Sequence, residues 1–115
     1  MTNLKINKKD VQDIFNLTPV QEGLLSHYIA GSDNKLYFEQ IAIRIDGELD
    51  AEIFEKSWQL VISNNEILRS VFRWENLSNP VCIILNEKRG TYYYNDLSNT
   101  KFQDEEIQNI KTIER

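Results

Sequence analysis

The 115-residue sequence has one cysteine, one histidine and four glycines, and each scarcity closes off a class of chemistry. The single cysteine, Cys82, permits no internal disulfide. It lies in the apolar run 81–85 and reads as a buried thiol in a reducing cytosol, so the expected location is cytoplasmic. One histidine and one cysteine cannot make a zinc site, so no metal is expected. The glycines are scattered, and no Gly-rich phosphate loop is present. The run 81–85 is the longest strictly apolar stretch, far too short to span a bilayer. The Lys-rich start (Lys5, Lys8, Lys9) is not followed by an apolar segment and does not read as a secretory signal. Base is also lacking: 13 Lys and Arg against 18 Asp and Glu leave a net charge of −5. That balance argues against nucleic acid and against an anionic membrane surface as partners. Repeats and low-complexity segments are absent.

What remains is ordinary for a soluble globular protein, with 41% hydrophobic and 27% charged residues. A chain this long can bury about two-thirds of its unfolded surface. Residues 1–16 are polar apart from Val11, Ile14 and Phe15, and read as a mobile leader with at most one helical turn. Thr18 is a strong N-cap, Pro19 suits the first helical position, and Gln21 completes a capping box. Val20, Leu24 and Tyr28 form one stripe with Leu25 beside it, and Gly31 stops the helix. Residues 37–45 alternate, with Ile41, Ile43 and Ile45 on one side, which predicts a half-buried strand. Asp46-Gly47 turns the chain. Asp50 caps a second helix through about 63, with Phe54, Trp58, Val61 and Ile62 as its stripe, Ile53 at the edge, and Asn64-Asn65 as its end. Alternation over 68–74 predicts a second strand, and 81–85 a short, fully apolar one. Residues 87–90 read as a hairpin turn and 91–94 as the returning strand. From Gln103 the chain is helical, with Asp104, Glu105 and Glu106 where the dipole favours acids, and Ile107, Ile110 and Ile113 marking a buried side. No Gly, Asn or Pro stops this helix before the last residue. The order is α-β-α-β-β-β-α, an α/β (α+β) sandwich with helices on a mainly antiparallel sheet.

The residues alone offer no catalytic constellation. His27 follows Ser26, but helix neighbours point about 100° apart and cannot form a nucleophile–base pair. It reads as a surface or interface histidine. Tyr92, Tyr93 and Tyr94 read as strand packing, since no basic groove flanks them.

Two segments carry a resemblance. Leu17-Thr18-Pro19-Val20-Gln21-Glu22-Gly23-Leu24-Leu25-Ser26-His27 resembles the first core motif of condensation domains in nonribosomal peptide synthetases, S-x-A-Q-x-R-(L/M)-(W/Y)-x-L. Thr18, Gln21 and Leu24 match; Gly23 stands in place of Arg and Leu25 in place of an aromatic. It looks like the T-P-M-Q-E-G-M-L-F-H version found in domains that accept from an upstream subunit. Asn64-Asn65-Glu66-Ile67-Leu68-Arg69-Ser70-Val71-Phe72 is similar to the second motif, R-H-x-x-L-R-T-x-F. Leu68, Arg69 and Phe72 match, Ser70 replaces Thr, and Asn64-Asn65 replace the Arg-His pair. The resemblance covers about residues 11–115.

It implies part of one lobe of a chloramphenicol acetyltransferase-like fold. In that family an acceptor amine attacks a donor thioester to form a peptide bond, which makes the whole domain an amide-forming acyltransferase. The substrates arrive on phosphopantetheine arms of peptidyl carrier proteins, and no cofactor is bound directly. The family's H-H-x-x-x-D-G motif is absent, so the chain is expected to be truncated before it, with no catalytic residue of its own. Arg69, a charge within an apolar stretch, is implied to form a structural ion pair within the lobe, with a partner either inside these residues or among groups this chain lacks. The division implied is a leader, 1–16, and a condensation portion, 17–115. Such a leader resembles a docking segment for an upstream synthetase subunit. Lys8, Lys9, Asp10 and Asp13 would supply its charges, and Val11, Ile14 and Phe15 its apolar grip. The alternatives are a disordered start with no partner and, for the whole chain, an unrelated α/β domain sharing two short motifs by chance.

Overall fold

The computed structural model describes residues 5–31, 37–87 and 92–113. It combines three α-helices with a three-stranded antiparallel sheet. The elements are β1 (Val11–Asn16), α1 (Pro19–Ala30), α2 (Ala51–Asn64), β2 (Ser70–Arg73), β3 (Val81–Leu85) and α3 (Gln103–Ile113), with 3-10 turns at Lys8–Asp10 and Glu66–Arg69. The sheet order is β1-β3-β2. The most apolar strand therefore takes the middle, where both of its edges are hydrogen-bonded. Cys82, Ile84 and Leu85 are its buried residues. Leu17, Cys82 and Ile84 form the core, against which Leu25 of α1 and Phe72 of β2 pack.

The local signals for α1 and α2 hold in detail. The Thr18 hydroxyl accepts from the Gln21 N–H at 3.3 Å, and the Gln21 side chain accepts from the Thr18 N–H at 2.9 Å, closing the capping box. Asp50 accepts from the Ile53 N–H at 3.0 Å. Gly31 ends α1 in extended backbone (φ −78°), so its glycine freedom is unused there. Gly47 does use it, turning the chain at φ +118° after Asp46. Thr18→Ala should cost about 1 kcal/mol, the usual value of an N-cap, read as a lower urea midpoint with unchanged slope.

Four expectations are corrected. Residues 11–16 are not a mobile leader but an edge strand. Val11 pairs with Leu85, and residues 13–16 pair in turn with 84–81. The apolar strand β3 supplies a hydrogen-bonding edge that composition could not reveal. Residues 37–45 do not form a strand, and Ile41, Ile43 and Ile45 are exposed. Alternation says which side chains share a face, but a strand also needs a neighbour to take its backbone hydrogen bonds. The second strand starts at Ser70, because Glu66–Arg69 coils into a 3-10 turn on leaving α2. The returning strand is also missing: residues 92–94 have no regular structure, and 88–91 lie outside the described residues. The order among the described elements is thus β-α-α-β-β-α.

The amphipathic stripes are only partly covered. Ile62 is the sole buried residue of α2, while Phe54, Trp58 and Val61 are exposed. On α3, Ile110 is half-buried and Ile113 is 83% exposed, so the expected buried side is not buried. The accessible surface is 10085 Å2, against about 6,600 Å2 for a compact protein of this mass. Apolar helix faces therefore remain open to solvent.

Candidate functional site

The end of α2 is densely hydrogen-bonded by side chains. A helix leaves its last carbonyls without intrahelical donors, and α2 has no basic residue in its last turn. Side chains from the second motif fill the gap. Asn64 Nδ2 donates to the Leu60 carbonyl at 2.8 Å, and Asn65 Nδ2 to the Val61 carbonyl at 2.6 Å. Arg69 Nε donates to the Ile62 carbonyl at 3.3 Å, and another guanidinium nitrogen to Ser63 at 3.4 Å. The 3-10 turn makes this possible by folding Arg69 back beneath the helix it follows. A cation is also favoured at a helix C-terminus by the macrodipole.

Arg69 is buried, at 8% exposure. Its remaining bonds are its shortest: the terminal nitrogen Nη1 donates to the Leu85 carbonyl at 2.5 Å and to Gln12 Oε1 at 2.6 Å. One guanidinium thus ties together the end of α2, the end of β3 and the start of β1. These acceptors are neutral. Among the described residues carbonyls and an amide take these bonds, and they suit the planar fork of an Arg. Arg69 also lines a cleft of about 740 Å3 with Lys56, Gln59, Ser63, Asn86 and Glu87.

Residues of the two motifs meet at a second place. Gln21 and Leu24 from the first and Phe72 from the second line an apolar cleft of about 360 Å3, with Leu25, Tyr28, Tyr37 and Phe38. Leu68 is exposed and belongs to neither cleft. Gly23 faces open space, and a Cβ added there would meet nothing within 4 Å.

His27 is exposed on α1, its ring edge-on to Tyr37 at 6.0 Å. The neighbouring Ser26 hydroxyl is spent on the Glu22 carbonyl at 2.8 Å. The Cys82 thiol is pushed above its ordinary pKa by burial, an effect partly offset by a hydrogen bond with Ser70. A thiol held protonated is a poor nucleophile. Among the described residues no cluster of three His, Cys, Asp or Glu could hold a metal, and no helix is long and apolar enough to cross a membrane.

The docking candidates divide. Lys8 and Lys9 are exposed on the first 3-10 turn, and Ile14 and Phe15 are exposed on β1. Asp10 and Val11 are half-buried, the Asp10 carbonyl accepting from the Asn86 N–H at 2.8 Å. The Asp13 carboxylate accepts from the Ile14 N–H at 2.8 Å. Sequence reasoning passed over Gln12 and Asn86, polar residues with no motif around them.

A family model described as the condensation domain matches residues 11–115, a region that opens where β1 opens. The chain belongs to the condensation-domain family. It is 37% identical over 108 residues to surfactin synthase subunit 2 of Bacillus subtilis (strain 168), covering 92% of this chain and 3% of that protein. Against tyrocidine synthase 2 of Brevibacillus parabrevis the figures are 30% over 92 residues, 80% of this chain and 3% of the relative. Against gramicidin S synthase 2 of Brevibacillus brevis they are 31% over 91 residues, 79% and 2%. The chain therefore spans only a few per cent of these relatives. The condensation-domain segment in hand carries neither a His-His pair nor, among its described residues, a metal cluster.

Proposed function

We propose that this chain is the scaffold portion of a condensation domain that forms peptide bonds between carrier-bound aminoacyl or peptidyl thioesters in a nonribosomal peptide synthetase. The carrying observation is the family match over residues 11–115, with both motifs placed on elements of one sheet-and-helix unit. The open apolar faces of α2 and α3 also suit a segment that the rest of such a domain covers. On this reading residues 1–115 shape and brace a lobe. The reacting groups and the phosphopantetheine-borne substrates belong to other parts of the synthetase and its carrier proteins. The test supplies donor and acceptor aminoacyl carrier-protein thioesters and follows dipeptidyl product. A polypeptide that carries these residues together with an H-H-x-x-x-D-G segment should turn over, and the 115-residue chain alone should not. General acid–base work needs a positioned group of near-neutral pKa, and His27 is placed on an exposed helix face. Turnover by the 115 residues that His27→Ala abolishes would overturn the reading.

A second reading, docking of an upstream synthetase subunit, draws on the exposure of Lys8, Lys9, Ile14 and Phe15. An extended segment would then present the apolar and charged groups, in place of a helical leader. Contacts through so few exposed charges weaken with salt. Lys9→Glu should reduce binding of the C-terminal peptide of the upstream synthetase and leave the fold intact. Unchanged titrations at low salt would remove the docking reading.

A further inference from the structure

The N-terminal strand has little apolar burial to fix its position. Val11 is half-buried and residues 12–16 are exposed, and a strand without a buried face has a weakly specified register. Yet β1 is irregular at one defined point. Val11 pairs with Leu85 and Asp13 with Ile84, so Gln12 is the extra residue of a bulge. Bulges re-aim a side chain, and here the amide of Gln12 is aimed at both ends of one 3-10 turn. Its oxygen accepts from Arg69 Nη1 at 2.6 Å, and its nitrogen donates to Glu66 Oε1 at 2.9 Å. Arg offers donors only and an ionised Glu acceptors only, so one amide orientation satisfies both.

We propose that Gln12 is a register latch, a positioning residue through which Glu66 and Arg69 fix the N-terminal strand on β3. The chemistry discriminates against the neighbouring registers. A slip one way would bring Val11 to the latch, which offers neither donor nor acceptor. A slip the other way would bring Asp13, whose shorter carboxylate could accept from Arg69 but offers no donor to Glu66 and repels it. Asn86 holds the approach to the latch, its side-chain amide donating to the Lys9 carbonyl at 2.9 Å and its N–H to that of Asp10 at 2.8 Å. When the latch is open, β3 keeps β2 on one side and bares its other edge. This inference rests on the geometry of β1 and not on the functional reading above.

The test is residue-resolved amide exchange on the 115-residue chain, with β2 amides as the internal reference. In Gln12→Leu, protection over residues 11–16 should fall on the order of 10- to 100-fold relative to β2, the loss of two hydrogen bonds to charged groups. Gln12→Glu sets two carboxylates against each other and should also loosen the strand. The double variant Gln12→Glu/Glu66→Gln reverses donor and acceptor between the two side chains while Arg69 keeps its acceptor, and should restore protection to within about threefold of the parent. Rescue by the reciprocal exchange supports the latch, since a residue that merely fills space gives none. Equal loss of protection in β1 and β2, or no recovery in the double variant, overturns it.

Discussion

Replacing Arg69 with Met should lower the unfolding free energy by about 3 kcal/mol, more than any other single side-chain deletion outside the apolar core. Met keeps much of the aliphatic stem, so the loss reports the guanidinium. Its two short bonds are charge-assisted, the one to the Leu85 carbonyl buried and the one to Gln12 part-buried, and such bonds are worth about 1.5–3 kcal/mol each. The longer bonds to Ile62 and Ser63 add less, but their carbonyls lose a donor at a helix end. Arg69→Lys keeps the charge and should recover less than half of the loss, because an ammonium cannot serve acceptors on three elements as the planar fork does. Arg44, whose ion pair with Asp46 is 90% and 84% exposed, is the control, and its replacement should not move the midpoint measurably. The partners of Arg69 lie within residues 12–85, so the effect should appear in the 115-residue chain as fully as in any longer protein. A urea midpoint for Arg69→Met that matches the parent would show that the network contributes nothing.

The features legible in the sequence were those whose causes are local. Thr18, Pro19 and Gln21 sit within one helical turn, so their capping box could be read from spacing, as could Asp50 at the start of α2. The run 81–85 was legible as a strand because it is short, wholly apolar and set off by a turn-rich loop, and as β3 it takes the central place in the sheet. The misreadings share a cause too. Whether residues 37–45 become a strand depends on a neighbouring edge, and their alternation carries no information about one. The extended state of residues 11–16 is likewise conferred by β3, some 70 residues away. Arg69 stood out as a charge in an apolar stretch, which foretold burial. Its partners could not be foretold, because they are backbone carbonyls that converge only once the 3-10 turn has formed. Gln12 gave no signal at all: its role exists only when a bulge of one residue coincides with Glu66 and Arg69.

Deleting residues 1–16 should strongly lower the stability of the 115-residue chain and make it associate, whereas removal of a true leader would leave its stability unchanged. The deletion removes one of three strands, and β2 with β3 alone form a two-stranded antiparallel pair, which is marginal in water. It also strips Arg69 of Gln12, one of its two closest acceptors, and leaves a buried guanidinium short of a partner. The free edge of β3 then presents unpaired N–H and C=O groups beside apolar side chains, a template for pairing with other chains. Circular dichroism should show a melt shifted to markedly lower temperature, and light scattering should show association. Deleting residues 1–6 alone keeps Asn7, whose carbonyl accepts from the Asp10 N–H, and with it the 3-10 turn, β1 and Gln12, and should be tolerated. A shortened chain, 17–115, that melts at the parent's temperature and stays monomeric would mean that the N-terminal strand is dispensable, and Gln12 with it.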